Sequence, residues 1–216
     1  MQEQVIVTGM IIKTVPIGEF DRRVVILSKE RGKITAFVKG ARRPNSRFVA
    51  STNLFSFGEF KLYEGKSAYS LVDTDISNYF EELRGDFEAA YYGMFFLEIA
   101  DYYTRENNDE REMLKLIYQS LKALASNTLE NRIVMYIFEL KSTMINGEFP
   151  GLRTDYKYEE STKYAVQFIQ QSSIEKLYTF KVTDSVLKEL GEFAEWIRIR
   201  CMDYTFKSLS ILSTII

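Results

Sequence analysis

The spacing of hydrophobic residues in this chain changes once, near residues 76–82. Up to about residue 75 apolar positions alternate, or run in short blocks rich in Val, Ile and Thr. Beyond residue 78 they recur at intervals of three and four. A period of two belongs to strands and a period near 3.6 to helices, so one sequence cannot hold both patterns in one element. The expected architecture is α+β: a domain of short strands over residues 1–78, then an α-helical bundle over residues 79–216.

The strand half divides cleanly. Val5 to Val15 ends at Pro16, and the loop Ile17 to Asp21 contains Gly18. Arg23 to Leu27 follows, then the turn Lys29 to Gly32. Lys33 to Lys39 reads as a third strand, with Ile34, Ala36 and Val38 on one face and Thr35 and Phe37 on the other. Gly40 to Thr52 is polar, basic and interrupted by Pro44, which predicts a long loop. Phe55 to Tyr63, the turn Glu64-Gly65-Lys66 and Ala68 to Val72 complete the set. Five short strands in about 75 residues suit a small closed β-barrel of the oligonucleotide-binding (OB-fold) type.

The helical half opens with an amphipathic stretch from Phe87 to Tyr103. Asn107-Asn108-Asp109 marks a break and a helix start, and Met113 to Leu124 follow at helical spacing. Thr128 is the expected cap of a helix that Gly147 and Pro150 stop. Residues 148–171 read as irregular. Thr183 to about Tyr204 is helical again, and Phe206 to Ile216 forms a last short helix. Cys201, among Trp196, Ile197 and Ile199, reads as a buried small hydrophobe.

Composition narrows the chemistry. Among 216 residues there is no histidine and one cysteine. That removes Ser/His/Asp and Cys/His catalysis and every imidazole metal site. One cysteine cannot form an internal disulfide, which fits a reducing compartment. No apolar run reaches the roughly 18 residues that span a bilayer, and no secretory leader pattern is present. The expectation is a cytoplasmic, non-enzymatic protein that makes no membrane contact. Charge is uneven: residues 1–80 hold 12 Lys+Arg against 8 Asp+Glu, a net of +4, inside a chain of net charge −2.

The excess gathers in two loops, Gly18-Glu19-Phe20-Asp21-Arg22-Arg23 and Lys39-Gly40-Ala41-Arg42-Arg43. Single strands are held by a basic groove that tracks phosphates and by aromatic faces on which bases stack. Lys13, Arg22, Arg23, Lys39, Arg42, Arg43 and Arg47 are the candidate phosphate contacts. Phe20, Phe37 and Phe48 are the candidate stacking faces. Arginines at strand ends also guard against edge pairing, and phenylalanines also fill small barrels. Asp73, Asp75 and Glu81 could hold a nuclease metal, or mark a solvated strand-to-helix junction. A generic OB-fold module acting on RNA is a further alternative.

Several stretches carry a family likeness. They are Gly18 to Val24, Lys39 to Arg43, and Leu62-Tyr63-Glu64-Gly65-Lys66. In the helical half they are Tyr92-Gly93 with Leu97-Glu98, Arg132 before Phe138-Glu139-Leu140, and Asp203 to Leu209. Their order and spacing resemble the RecO family, bacterial DNA repair and recombination mediators. The resemblance implies an OB-fold domain followed by a helical domain. It implies binding to single- and double-stranded DNA and annealing of complementary strands. It also implies work with RecR, and in many bacteria RecF, to load RecA on strands coated by single-strand-binding protein, hence a nucleoid-associated location. The acidic tail of single-strand-binding protein is expected on the helical domain, with Arg132 or Lys207 as the cation for its carboxylate; plain helix-face solvation is the alternative for both. Many members carry four zinc-binding cysteines after a Pro-x-Leu. Pro150-Gly151-Leu152 is present, but Asp155 and Tyr158 stand where the first cysteine pair falls. No zinc is expected, and Tyr156, Tyr158, Tyr164 and Phe168 are expected to hold residues 148–171 by packing.

Overall fold

A computed structural model of the chain describes residues 3–215. Five strands form a closed barrel in the order β1-β2-β3-β5-β4. They are β1 (Gln4–Ile17), β2 (Asp21–Ser28), β3 (Gly32–Val38), β4 (Phe57–Glu64) and β5 (Tyr69–Asn78). All neighbouring pairs are antiparallel except β3 and β5. This is the OB-fold arrangement expected from the strand count.

β1 closes the barrel by pairing twice. Its first part, Gln4–Met10, pairs with β4, and its later part, Gly9–Ile17, with β2. The register slips between Ile11 and Lys13, a bulge that bends the strand from one partner to the other. Gly9 lies opposite Gly58 where the sheets crowd. A Cβ on Gly9 would sit 2.4 Å from the Leu27 carbonyl oxygen, and one on Gly58 2.2 Å from that of Asp75. Only glycine tolerates such close backbone approach.

Alternation fills the interior. Val24, Ile26, Ile34, Ala36, Val38, Phe60 and Leu62 are buried in one cluster. The face assignment for β3 holds: Ile34, Ala36 and Val38 point inward, and Phe37 points out. β5 runs to Asn78, beyond the expected end at Val72. Its second half alternates half-buried and exposed positions, so Asp73 and Asp75 sit on the solvated face of a strand, not in a junction. The loop after β3 contains a one-turn helix, α1 (Phe48–Ser51), whose Phe48 packs against the barrel core.

The chain divides into two compact units. The first runs up to Glu81 and includes Ala100–Leu114; the second comprises Glu82–Ile99 and Lys115 onward. Within the first, residues 105–107 extend the lower edge of β3. The Lys33 N–H donates to the Arg105 carbonyl at 3.0 Å and the Asn107 N–H to that of Arg31 at 2.9 Å. Asp101 accepts from Lys33 Nζ at 3.0 Å and Lys13 Nζ at 3.2 Å. Burial alone would raise the Asp101 carboxyl, but the hydrogen bonds and charges of the two lysines outweigh it and hold its pKa below the usual value.

The remaining helices are α2 (Glu82–Gly85), α3 (Phe87–Tyr103), α4 (Arg111–Ser126), α5 (Asn131–Ile145), α6 (Glu160–Gln171), α7 (Asp184–Cys201) and α8 (Lys207–Ile215). Phe96 stacks on Phe138 at 4.3 Å, and Phe95 meets Phe206 edge-on at 5.2 Å. Glu98 caps α8, accepting from the Ser208 N–H at 3.2 Å and its hydroxyl at 2.8 Å. At the α5–α7 contact, Arg198 donates to Glu139, which is fully buried.

Several helical expectations need correction. Thr128 does not cap α5; Glu130 occupies that position, and the Thr128 hydroxyl pairs with that of Ser126. Residues 148–171 are not irregular throughout, because Glu160–Gln171 forms α6 with Ala165, Val166 and Ile169 buried. Its last carbonyls are satisfied by Lys141, whose Nζ donates to Ile169 and Ser172 at 2.9 Å each. Tyr158 is buried, but Tyr164 is 69% exposed and contributes little to the packing expected of it. Cys201 is half-buried, with its thiol 3.5 Å from the Glu148 carbonyl oxygen. The helix from Thr183 is confirmed, with Thr183 as its cap, and ends at Cys201. The last expected helix is α8; Ile216 lies outside the described residues.

Candidate nucleic-acid interface

The two basic loops are stitched to each other. The Arg42 backbone N–H donates to the Phe20 carbonyl at 2.8 Å. The Gly40 N–H donates to the Asp21 carboxylate at 2.7 Å, and Arg42 Nη1 to the Gly18 carbonyl at 3.3 Å. Gly40 has φ of +65°, which turns the chain back at the end of β3. Arg43 then lies over the Phe20 ring, 5.4 Å from its centroid. Loops separated by some 20 residues thus present one surface, with Arg42, Arg43 and Phe20 together.

That surface continues onto the barrel wall. Val15, Arg23, Phe37 and Ser70 are successive register partners across β1, β2, β3 and β5. Arg23, Phe37 and Ser70 are exposed, and Val15 is half-buried. Lys39 follows at the end of β3, also exposed. Neither the Arg23 nor the Lys39 side chain has a hydrogen bond or ion pair among the described residues. The face of strands 2 and 3 with the adjoining first loop is where OB-folds hold oligonucleotides.

Other expected contacts are engaged elsewhere. Arg22 Nη1 donates to the Val49 carbonyl at 3.1 Å, the Thr52 hydroxyl at 2.7 Å and the Asn53 side chain at 3.0 Å. Burial, then the positive charge of Arg42, pulls its pKa below the usual guanidinium value. Lys13 is held by Asp101. Arg47 pairs with Asp73 at 3.1 Å, donates to the Val72 carbonyl and covers the Phe48 ring at 4.9 Å. Phe48 serves the core. Of the seven cations, Lys13, Arg22 and Arg47 are engaged elsewhere in the barrel unit, Arg42 and Arg43 lie exposed at the seam of the two loops, and the side chains of Arg23 and Lys39 are exposed at the neighbouring strand positions.

Asp21 is the residue that sequence reasoning passed over. An acid inside a basic stretch reads as an interruption, yet its carboxylate fixes the loop that carries Arg42 and Arg43. Its place directly before the Arg22-Arg23 pair, with a glycine N–H as partner, is the signal that marks it.

In the helical unit, Arg132 lines a cavity of about 440 Å³ with Met135, Leu187 and Arg198 and with the acids Asp184, Glu192 and Glu195. Its guanidinium is paired with Glu130, which raises its pKa. Lys207 opens α8, is exposed and is not among the residues lining that cavity. The acids weighed for a nuclease metal do not assemble: Asp73 is taken by Arg47, and among the described residues no group of three potential ligands occurs. The residues present do not fit a thiolate zinc site either. Asp155 is forked by Arg153, with contacts of 3.1 and 2.9 Å. Tyr158 is buried 5.5 Å edge-on to Phe193. No helix among the described residues is long and apolar enough to cross a membrane.

Comparison with known proteins gives concordant matches. The family model for the Recombination protein O N terminal matches residues 1–80, and that for the Recombination protein O C terminal matches residues 84–157. A protein named DNA repair protein RecO from Acetivibrio thermocellus is 28% identical over 96% of both chains. One of the same name from Clostridium novyi is 34% identical over 64% of this chain and 54% of its own. One from Alkaliphilus metalliredigens is 31% identical over 67% and 58%. The last two alignments span little more than half of those relatives' lengths.

Proposed function

This chain belongs to the RecO family of DNA repair proteins, and we propose that it is a recombination mediator of the RecFOR type. It binds single- and double-stranded DNA, anneals complementary strands and helps load RecA on strands coated by single-strand-binding protein. RecR is its working partner, with RecF where the pathway uses it, and the acidic tail of single-strand-binding protein docks on the helical unit. The observation that carries the DNA-binding reading is the joining of the two basic loops through Arg42 and Phe20.

Annealing requires two polyanions to be held close. Cations on a fixed surface reduce phosphate repulsion and release counterions. Arginine suits the task, because its planar fork grips phosphate oxygens and its face also stacks on bases. Nothing in this requires bond making, in keeping with a chain that offers no histidine and no gathered carboxylates among the described residues. Arg132 has the apolar neighbours Met135 and Leu187 that Lys207 lacks in this cavity, but a peptide carboxylate there would have to displace Glu130 and meet Asp184, Glu192 and Glu195.

The test is annealing of complementary strands, each coated with the cognate single-strand-binding protein. Acceleration over the protein-free rate is expected, with a smaller effect once the acidic tail is deleted. A stronger preference for RNA than for DNA single strands in competition would instead favour an RNA-binding module, since a reader of the 2′-hydroxyl prefers RNA.

A further inference from the structure

The geometry points to Phe37, held opposite Arg23 on the outer face of β2 and β3, as the element by which this surface distinguishes an unpaired strand from a duplex. The inference rests on the DNA-binding reading above and assigns one of its selectivities to one side chain.

The three phenylalanines near the basic surface differ in what covers them. Phe48 is packed against the barrel core under Arg47. Phe20 is 37% exposed, but its ring already carries the guanidinium of Arg43. Phe37 is 43% exposed and has no cation or ring over it among the described residues. It also differs in its support. Phe20 sits in a loop, whereas Phe37 belongs to β3, one residue from its end, with Arg23 as register partner on one side and Ser70 on the other. Of its two register partners Ser70 is small and exposed, and Val15, beyond Arg23 in the same row, is half-buried. An aromatic face is left partly exposed, with a cation as its register partner.

Phosphate contacts exist in single strands and duplexes alike and carry no information on pairing. Base faces are different: in a duplex they are buried in the helix stack, and only an unpaired base can lie on a protein aromatic. Arg42, Arg43 and Lys39 therefore serve both forms, and Phe37 serves single strands alone. Arg23, one register step away, is placed to hold the phosphate of the nucleotide whose base lies on Phe37.

The experiment compares binding of an oligothymidylate and of a duplex of the same length to the full chain at one salt concentration. Phe37→Leu is expected to weaken the single strand about tenfold, within the range of one stacked base. The duplex should change less than twofold. The slope of affinity against salt should stay unchanged, because no charge is removed. Phe37→Tyr should restore single-strand affinity. Phe20→Leu, which releases Arg43, should weaken both forms and leave their ratio intact. Equal loss on both forms with Phe37→Leu, loss on neither, or failure of Phe37→Tyr to restore binding would overturn the inference while leaving DNA binding standing. A wild-type protein that binds neither form would remove the DNA-binding reading, and this inference with it.

Discussion

The carboxylate of Asp21 accepts from the backbone N–H of Gly40 at 2.7 Å. An acidic residue thereby organises the basic surface of the barrel. Its partner hydrogen bond, from the Arg42 N–H to the Phe20 carbonyl, completes the seam between two loops. Removing the acid makes the surface more positive and less ordered at once, so the two effects can be told apart.

Asp21→Ala should weaken DNA binding even though it removes a negative charge. If charge alone governed affinity, the same variant would bind more tightly. Loss of a hydrogen bond to a charged group should also lower stability by about 1–2 kcal/mol. Titration of a labelled single strand, with a urea melt of the same preparation, reads both quantities.

Arg22 behaves as part of the fold. It donates to three oxygens of the segment Val49–Asn53, in and just after α1. Arg22→Ala should cost about 1–3 kcal/mol through the acceptors it strands. Arg22→Lys should recover little, since an ammonium cannot reproduce the guanidinium fork. Thermal unfolding of both variants measures this. The expected result separates Arg22 from its neighbour Arg23, whose replacement should leave stability unchanged and weaken DNA binding.

Asp101 links pH to stability in the barrel unit. Its pKa lies below the model-compound value of 3.8 because Lys33 and Lys13 outweigh the effect of burial. A carboxylate depressed on folding contributes stability that is fully present above its unfolded pKa. That contribution is lost as pH falls through the lower folded value. The difference in urea midpoint between wild type and Asp101→Asn should therefore be largest near neutrality and shrink below about pH 4. A difference that grows in acid would contradict the assignment.

The buried pair of Glu139 and Arg198 invites a paired test. Burial raises the Glu139 carboxyl, and Arg198 opposes that rise. Arg198→Ala should cost about 3–5 kcal/mol by leaving Glu139 without its partner, and Glu139→Met with Arg198→Met should cost much less. In the same unit, metal analysis of the purified protein should find no stoichiometric zinc, and a chelator should leave its melting temperature unchanged. Stoichiometric zinc would show that Asp155 and Tyr158 have been misread.

Much of the fold was legible because it follows period. The inward set of β3 follows from alternation, and the helix expected from Thr183 is α7, which Thr183 caps. What was not legible depends on contacts remote in sequence. β5 extends past Val72 because β4 supplies partners as far as Phe57, opposite Asn78. Residues 100–114 join the barrel unit through Lys33, Lys13 and backbone pairing at Arg105 and Asn107, none of which leaves a periodic trace. α6 was missed between two irregular stretches, since its polar residues mask a stripe of only a few apolar positions.

The site was legible in kind and less so in membership. Two basic stretches at strand ends could be read directly, and the structure joins them through Arg42, Phe20, Gly40 and Asp21. Which arginines remain open could not be read, because Arg22 and Arg23 are adjacent in sequence and point to opposite sides of the sheet. The one is consumed by α1 and the residues after it, and the other stands beside Phe37.

The central claim is that the two stitched loops form one DNA-holding surface. Its most direct test is the salt dependence of single-strand binding by wild type and by Arg42→Ala with Arg43→Ala. Each phosphate contact contributes about 0.7 to the slope of log affinity against log salt for a single strand. The double variant should bind more weakly to every sequence, with a slope shallower by about 1.4. An unchanged affinity and an unchanged slope would place the DNA elsewhere on the protein.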